Sequence, residues 1–193
     1  MDESALLRAA KTLDKDGLTI IFDMYAPAIY KYALRLCRDP IKADNIVGDV
    51  FSQLLEQCAR GKGPVTNLRS YLFQIAYHLI VDQTRHYHHL VDLEVVPESI
   101  IPITSSSQYQ VEERVLLDAL VSALNSELNE IQRHVITLRF LEGFSLKETA
   151  LVVGKKVNSV KVIQNRGVAR LRKCLRLDFE NSEPDPSITS DGY

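Results

Sequence analysis

The chain has 193 residues, a formal net charge of −2, no tryptophan and three cysteines. That length suits one large domain or two small ones with a linker, and a composition rich in leucine, isoleucine, valine and alanine but poor in glycine favours helices over a sandwich or barrel. No run approaches the ~18 apolar residues of a membrane span, the acidic start MDESALLRAA does not read as a signal peptide, and Cys37, Cys58 and Cys174 are too scattered for a disulfide framework or a zinc site. The expected location is the cytoplasm, where idle thiols stay reduced.

In chain order, the first helical segment places Leu18, Ile21, Phe22, Tyr25, Ile29, Tyr32, Ala33 and Leu36 on one side, with Pro27 as a bend. Asp39-Pro40 reads as a breaker. A second helix, Ala43 to Gln57, has the stripe Ile46, Val47, Val50, Phe51, Leu54 and Leu55. After the Gly61–Pro64 loop, Thr66 or Asn67 is placed to cap a third helix from Leu68 to about His86, whose core side uses Leu72, Ile75, Ala76, Leu79 and Ile80. From Asp92 to Gln110 the periodicity stops. Two prolines, a serine run and scattered acids predict a linker, and its aliphatic residues suggest that it packs on something.

Helical spacing returns at Val111, with Leu116, Leu120, Leu124 and Leu128 on one stripe. Asn129 and Gln132 form a capping pair for the next helix. Ser145-Leu146-Lys147-Glu148 is a capping box that opens a short helix, and Gly154 is placed to end it. A longer helix follows from Val157 to Leu177. From Ile131 to Arg176 there are eleven basic residues and two acids, Glu142 and Glu148. A short capped helix, a turn and a long basic helix make a helix-turn-helix pattern. At 100° per residue, Val157, Val160, Gln164, Val168, Leu171 and Leu175 gather on a packing side. Asn158, Ser159, Lys161, Val162, Asn165 and Arg166 lie on the other, nearest a major groove. There asparagine can pair with adenine and arginine with guanine, while Lys155 and Lys156 hold phosphates. The tail beyond Leu177 is acidic and rich in proline and serine, which predicts disorder.

The segment Leu128–Leu175 resembles region 4 of the sigma-70 family. Gln132-Arg133, Leu138-Arg139, Glu142-Gly143, Ser145, Glu148, Ala150, Gly154, Ser159-Val160-Lys161, Arg166 and Leu171 carry the likeness. Phe22–Gln57 with Asn67–Arg85 is similar to region 2 of the same family, and the lack of a large inserted domain is similar to its small extracytoplasmic-function (ECF) group. The expected fold is therefore all-α: two small helical domains, 1–90 and 111–177, joined by a flexible linker, 91–110, with an acidic tail at 178–193. Gly48, Asn45, Tyr77-His78, His86–His89, Lys156, Ile163 and Asn129 depart from the residues common in the family.

The resemblance implies a non-enzymatic subunit with no cofactor. It would bind core RNA polymerase, direct it to promoters and help open the −10 region. On this likeness Asp44, Asn45, Asp49, Gln53 and Glu56 face the β′ clamp helices. Asn67, Gln74, Tyr77, His78, Val81 and Arg85 face the −10 element, where aromatic rings and histidine can stack on unpaired bases and arginine can hold phosphate. The basic helix reads the −35 element, and region 4 rests on the β flap. The linker would run near the active-site cleft. An anti-sigma factor is a further possible partner. The rival reading is an autonomous helix-turn-helix regulator that binds duplex DNA without polymerase. A metal enzyme built on His86, His88, His89 and Asp82 is disfavoured, because adjacent histidines fit one helical face poorly.

Overall fold

The computed structural model describes residues 2–91, 122 and 124–180, and the side chains of 2–84, 122 and 124–174. Nearly all of the expected linker and tail lie outside the described residues.

The first helix, α1 (Glu3–Thr12), begins where the Asp2 carboxylate accepts from the Ala5 amide at 2.8 Å. The sequence reading did not anticipate α1, because its buried residues are only Leu6, Ala9 and Ala10. Helix α2 (Lys15–Cys37) starts on an Asp14 cap to the Gly17 amide at 2.9 Å. It runs through Pro27, which is exposed, so the carbonyl left without an amide donor there can turn to water. Helix α3 (Pro40–Ala59) shows that Asp39-Pro40, which separates it from α2 as a breaker should, also starts the second helix, earlier than Ala43. The Asp39 carboxylate accepts from Ile41 at 2.9 Å and Lys42 at 3.1 Å, and Pro40 occupies the first turn, where an amide would be unused anyway. Helix α4 (Leu68–Val91) is capped from two sides. Asn67 accepts from the Ser70 amide at 2.8 Å, and Glu3 of α1 accepts from the Leu68 amide at 3.2 Å.

In the C-terminal half, α5 (Glu130–Ile136) opens on the anticipated Asn129/Gln132 box. It passes into a π-helical turn over Thr137–Leu141. The wider turn re-aims the chain: Phe140 points out at 56% exposure, while Phe144 is fully buried. The Ser145/Glu148 box starts α6 (Leu146–Val152), and Gly154, at φ 62°, makes the left-handed step before α7 (Val157–Glu180).

The four N-terminal helices pack around Ile21, Ile29, Tyr32, Ile46, Leu54, Leu68, Leu72 and Phe73, all at 0% exposure. Each such side chain contributes roughly 1.5–3 kcal/mol by leaving water. The same buried cluster continues into Val135, Leu138, Phe144 and Val160, so the two halves share one core. A smaller cluster joins Leu124, Leu128, Ile136 and Leu171. Three expected core positions are more open than helical spacing implies: Phe22 (46%), Leu55 (42%) and Val157 (40%). Phe22 lies at the rim of the α2–α3 contact, its ring centroid 4.8 Å from that of Phe51.

Helix α1 lies so close to α2 that a Cβ on Gly17 would stand 2.3 Å from the Ala9 Cβ. Gly17→Ala should therefore lower unfolding stability by about 1–3 kcal/mol, despite alanine's better helix propensity. Urea denaturation followed by circular dichroism measures this, and an unchanged midpoint would show that α1 does not pack as described.

Candidate nucleic-acid interface and the seam that adjoins it

The helix-turn-helix is held by contacts that the apolar pattern does not reveal. Arg139 donates to Gln164 Oε1 at 2.9 Å and also to the Phe144 carbonyl, fastening the turn to α7. Gly167 lets α7 approach α5, since a Cβ there would stand 3.1 Å from Ile136 Cγ1. With α7 fixed in this way, Lys155, Lys156, Asn158, Ser159, Lys161, Val162, Asn165 and Arg166 are all exposed. Val160 is buried opposite them, and Leu171 continues the packing side. Beside this surface, Phe140, Leu141, Leu124, Ile136 and Val168 line an open apolar groove.

On α3, Asp44, Asn45, Asp49, Gln53 and Glu56 are likewise all exposed, while Ala43, Ile46, Val50 and Leu54 anchor the other side of the helix. The acids stand clear of the core as one polar face.

Of the six positions associated with the −10 element, the five whose side chains are described, Asn67, Gln74, Tyr77, His78 and Val81, are not presented together. His78 is exposed and Gln74 is half-buried. Val81 is only 6% exposed, so the expectation that it faces away from the core is corrected. A wheel drawn for α4 alone cannot register that the helix is covered by α1, α2 and α3 and, from the other half, by α6. The Arg85 side chain lies outside the described residues. Tyr77 is half-buried, its ring in an edge contact 4.7 Å from His134. Asn67, in the left-handed region at φ 45°, donates from Nδ2 to Glu148 Oε1 at 3.2 Å.

Asn67 and Tyr77 thus belong to a seam between the halves that the sequence reading missed. Its centre is a 2.6 Å hydrogen bond between Tyr32 Oη and His134 Nδ1, both fully buried. Around it the Phe73 ring lies 5.3 Å from Tyr32 and 4.8 Å from Phe144. At the rim Arg35 donates to the Glu142 carboxylate, and Arg69 donates to the Glu142 carbonyl. The Arg69 guanidinium also lies 4.0 Å from the centre of the Phe144 ring. Burial raises the Glu142 carboxyl above its usual range, opposed by Arg35 and Arg69. Glu148 is lowered, first by its hydrogen bonds with Ser145. Burial pushes the His134 imidazole down to about 3, with Arg133 adding to the effect. It also drives the Tyr32 phenol well above its ordinary value, so both partners are neutral at pH 7. In the sequence His134 follows Gln132-Arg133 directly, so no local signal marked it as a buried partner.

Burial raises the Cys37 thiol to about 11, so it is protonated at neutral pH and unreactive. Among the described residues no group of three or more His, Cys, Asp or Glu could hold a metal, and no helix is long and apolar enough to cross a membrane. The side chains of His86, His88 and His89 lie outside the described residues.

Comparison with known proteins places both halves in one setting. Residues 21–88 match Sigma-70 region 2, and residues 126–173 match Sigma-70, region 4. The chain is 27% identical over 173 residues to the ECF RNA polymerase sigma factor BldN of Streptomyces coelicolor, covering 88% of this chain and 64% of that protein. It is 24% identical over 173 residues to the ECF RNA polymerase sigma factor SigX of Bacillus subtilis, covering 84% and 86%. Among solved structures, it is similar to the sigma factor RpoE bound to the anti-sigma factor NepR from Bartonella quintana. That match has a TM-score of 0.68 and 25% identity, covering 83% of this chain and 97% of that one. The fold is also that of CnrH in complex with the cytosolic domain of CnrY, with a TM-score of 0.68 at 21% identity, covering 90% of this chain and 96% of that one.

The neutral His134 makes the seam sensitive to acid. Its folded pKa is depressed below the unfolded value near 6.5, so the folded chain binds fewer protons between about 3 and 6.5. The stability it contributes is complete above that window and is lost as pH falls through it. Moving from pH 7 to pH 5 should remove ~2 kcal/mol through this residue. Urea titrations should show a smaller loss in His134→Gln than in the wild type. Equal losses would mean that His134 is not buried in the folded chain.

Proposed function

We propose, from the fact that this chain belongs to the sigma-70 family and to its ECF group, that it is a promoter-specificity subunit of RNA polymerase. It binds the core enzyme, directs it to promoters and helps to open the −10 region. It carries out no chemistry of its own and works in the cytoplasm. The observation that carries this reading is the pairing, in one chain and in family order, of a region 2 match with a region 4 match that ends in an exposed basic recognition helix.

Residues 1–90 form the domain that meets the core enzyme and the −10 element, and residues 111–177 form the one that meets the −35 element. On α3 the exposed polar face from Asp44 to Glu56 is offered to the β′ clamp helices. On α7, Asn158, Ser159, Lys161, Val162, Asn165 and Arg166 enter the major groove. Phosphates at the start of that helix fall to Lys155 and Lys156. The groove beside the exposed Phe140 is the surface for the β flap. Asn67, Gln74, Tyr77 and His78 meet the opened −10 strand once the seam has parted. Base capture there costs a few kcal/mol of unstacking, offset by contacts in the receiving pocket and by stacking. The solved complex of RpoE with NepR supports an anti-sigma factor as a further partner of this chain.

Run-off transcription tests the reading, with core polymerase from the source organism and pooled genomic fragments. Discrete new transcripts that depend on the chain are expected, and their absence together with no binding to core would overturn it. On a promoter found this way, Asn165→Ala and Arg166→Ala should each cut −35-dependent transcription by roughly tenfold or more, as expected for ~1–3 kcal/mol per base contact. The double variant Asp49→Ala/Gln53→Ala should weaken binding to core while its helical circular dichroism stays unchanged. Wild-type affinity in that variant would remove the α3 assignment.

A further inference from the structure

Asn67 caps α4 from the left-handed region, at φ 45°, a backbone conformation that asparagine tolerates better than most residues but does not prefer. Its own turn is closed locally. Asn67 Oδ1 accepts from the Ser70 amide at 2.8 Å, and its carbonyl accepts from the Tyr71 amide at 3.1 Å. Two further ties come from distant carboxylates. Asn67 Nδ2 donates to Glu148 Oε1 at 3.2 Å, across the seam. The amide of the next residue, Leu68, donates to Glu3 Oε1, also at 3.2 Å. Glu148 belongs to the C-terminal half and Glu3 to the N-terminal half.

The Glu3 carboxylate is delivered by a packed element. It opens α1, which Asp2 caps and which buries Leu6 and Ala10 in the same core as Leu68 and Leu72. The Ala9 carbonyl accepts from the Asp14 amide at 3.0 Å, and Ala9 packs closely on Gly17 of α2. A carboxylate beside the first amides of α4 also suits the positive end of that helix. If the halves part, Glu148 withdraws and Asn67 Nδ2 is released, whereas Glu3 stays with α4. The peptide after Asn67 is then still held. A side chain that meets its ligand from a preset backbone loses less freedom on binding than one on a loose turn.

We infer that Glu3 is a positioning residue for opening of the −10 element: it fixes the backbone beside Asn67, and so aims the Asn67 side chain, once Glu148 has withdrawn. The inference rests on the sigma-factor reading, which supplies the strand that Asn67 meets. Glu3 itself touches no DNA in this scheme and acts only through Asn67. Helix α1 thereby gains a role beyond packing, as the brace that carries Glu3.

The test uses the full chain with core polymerase on a promoter found by run-off transcription, and reads the rate of opening from permanganate reactivity of −10 thymines. Glu3→Ala should slow opening about fivefold, the scale of losing one helix cap. Glu3→Gln keeps a side-chain oxygen and should stay within about twofold of wild type. Asn67→Ala should also slow opening, and Glu3→Ala should add nothing in that background, because residues acting as one unit are not additive. Wild-type opening in Glu3→Ala would overturn the proposal. So would losses that multiply in the double variant, or a Glu3→Gln defect as large as that of Glu3→Ala. Amide hydrogen exchange of the free chain gives a second reading without polymerase. The Leu68 amide should exchange about fivefold faster in Glu3→Ala, while that of Leu72, deeper in α4, keeps its rate. Unchanged exchange at Leu68, or Leu72 accelerating in step with it, would overturn the proposal. Absent wild-type transcripts in the run-off assay would remove the sigma-factor reading and the proposal with it, while exchange at Leu68 would still report the tie to Glu3.

Discussion

The hydrogen bond between Tyr32 and His134 joins residues 102 positions apart, and both partners are out of water. A buried polar atom without a partner costs ~1–3 kcal/mol, so neither residue is well placed to face an apolar neighbour alone. That constraint fixes how α5 sits on α2 and α4. With His134 set against Tyr32 and Tyr77, Phe144 reaches Phe73, and Glu142 arrives at Arg35 and Arg69. The depressed pKa of His134 keeps the imidazole neutral at pH 7, so the bond is made without burying a charge at the seam.

The closed arrangement treats the interaction surfaces unequally. The polar face of α3 and the side of α7 away from Val160 remain exposed, so under the proposed function a first encounter with polymerase or duplex DNA needs no rearrangement there. Asn67 and Tyr77 are engaged by Glu148 and His134, so under the proposed function capture of the −10 strand at these residues follows parting of the halves. A partner can drive that parting only by as much as it prefers the open form. Contacts of core polymerase with both halves at once could supply the preference. On the proposed function, the seam then keeps single-strand contacts in reserve until the chain is in place.

Local structure was largely legible in the sequence. The capping boxes at Asn129/Gln132 and Ser145/Glu148, the turn at Gly154 and the exposed face of α7 follow from short-range rules, and each is present. Asp39-Pro40 breaks the chain after α2 as expected and also opens α3, because an aspartate before a proline suits both a turn and a helix start. Helix α1 escaped because its buried stripe is mostly alanine. The seam was beyond reach for a different reason. Periodicity assigns each helix one buried side, whereas α4 is covered on several, so Val81 is buried and Tyr77 half-buried although both fall outside its apolar stripe. Arg35, Arg69 and Glu142 look like ordinary surface charges until the fold brings them together.

The central claim is that the halves are closed in the free chain and part on polymerase. The direct measurement is the distance between spin labels on cysteines replacing the exposed Ser52 and Lys173, in a chain whose native cysteines are substituted. The account predicts one narrow distance distribution for the free chain and a longer one for the chain bound to core. The same distribution in both states would contradict it.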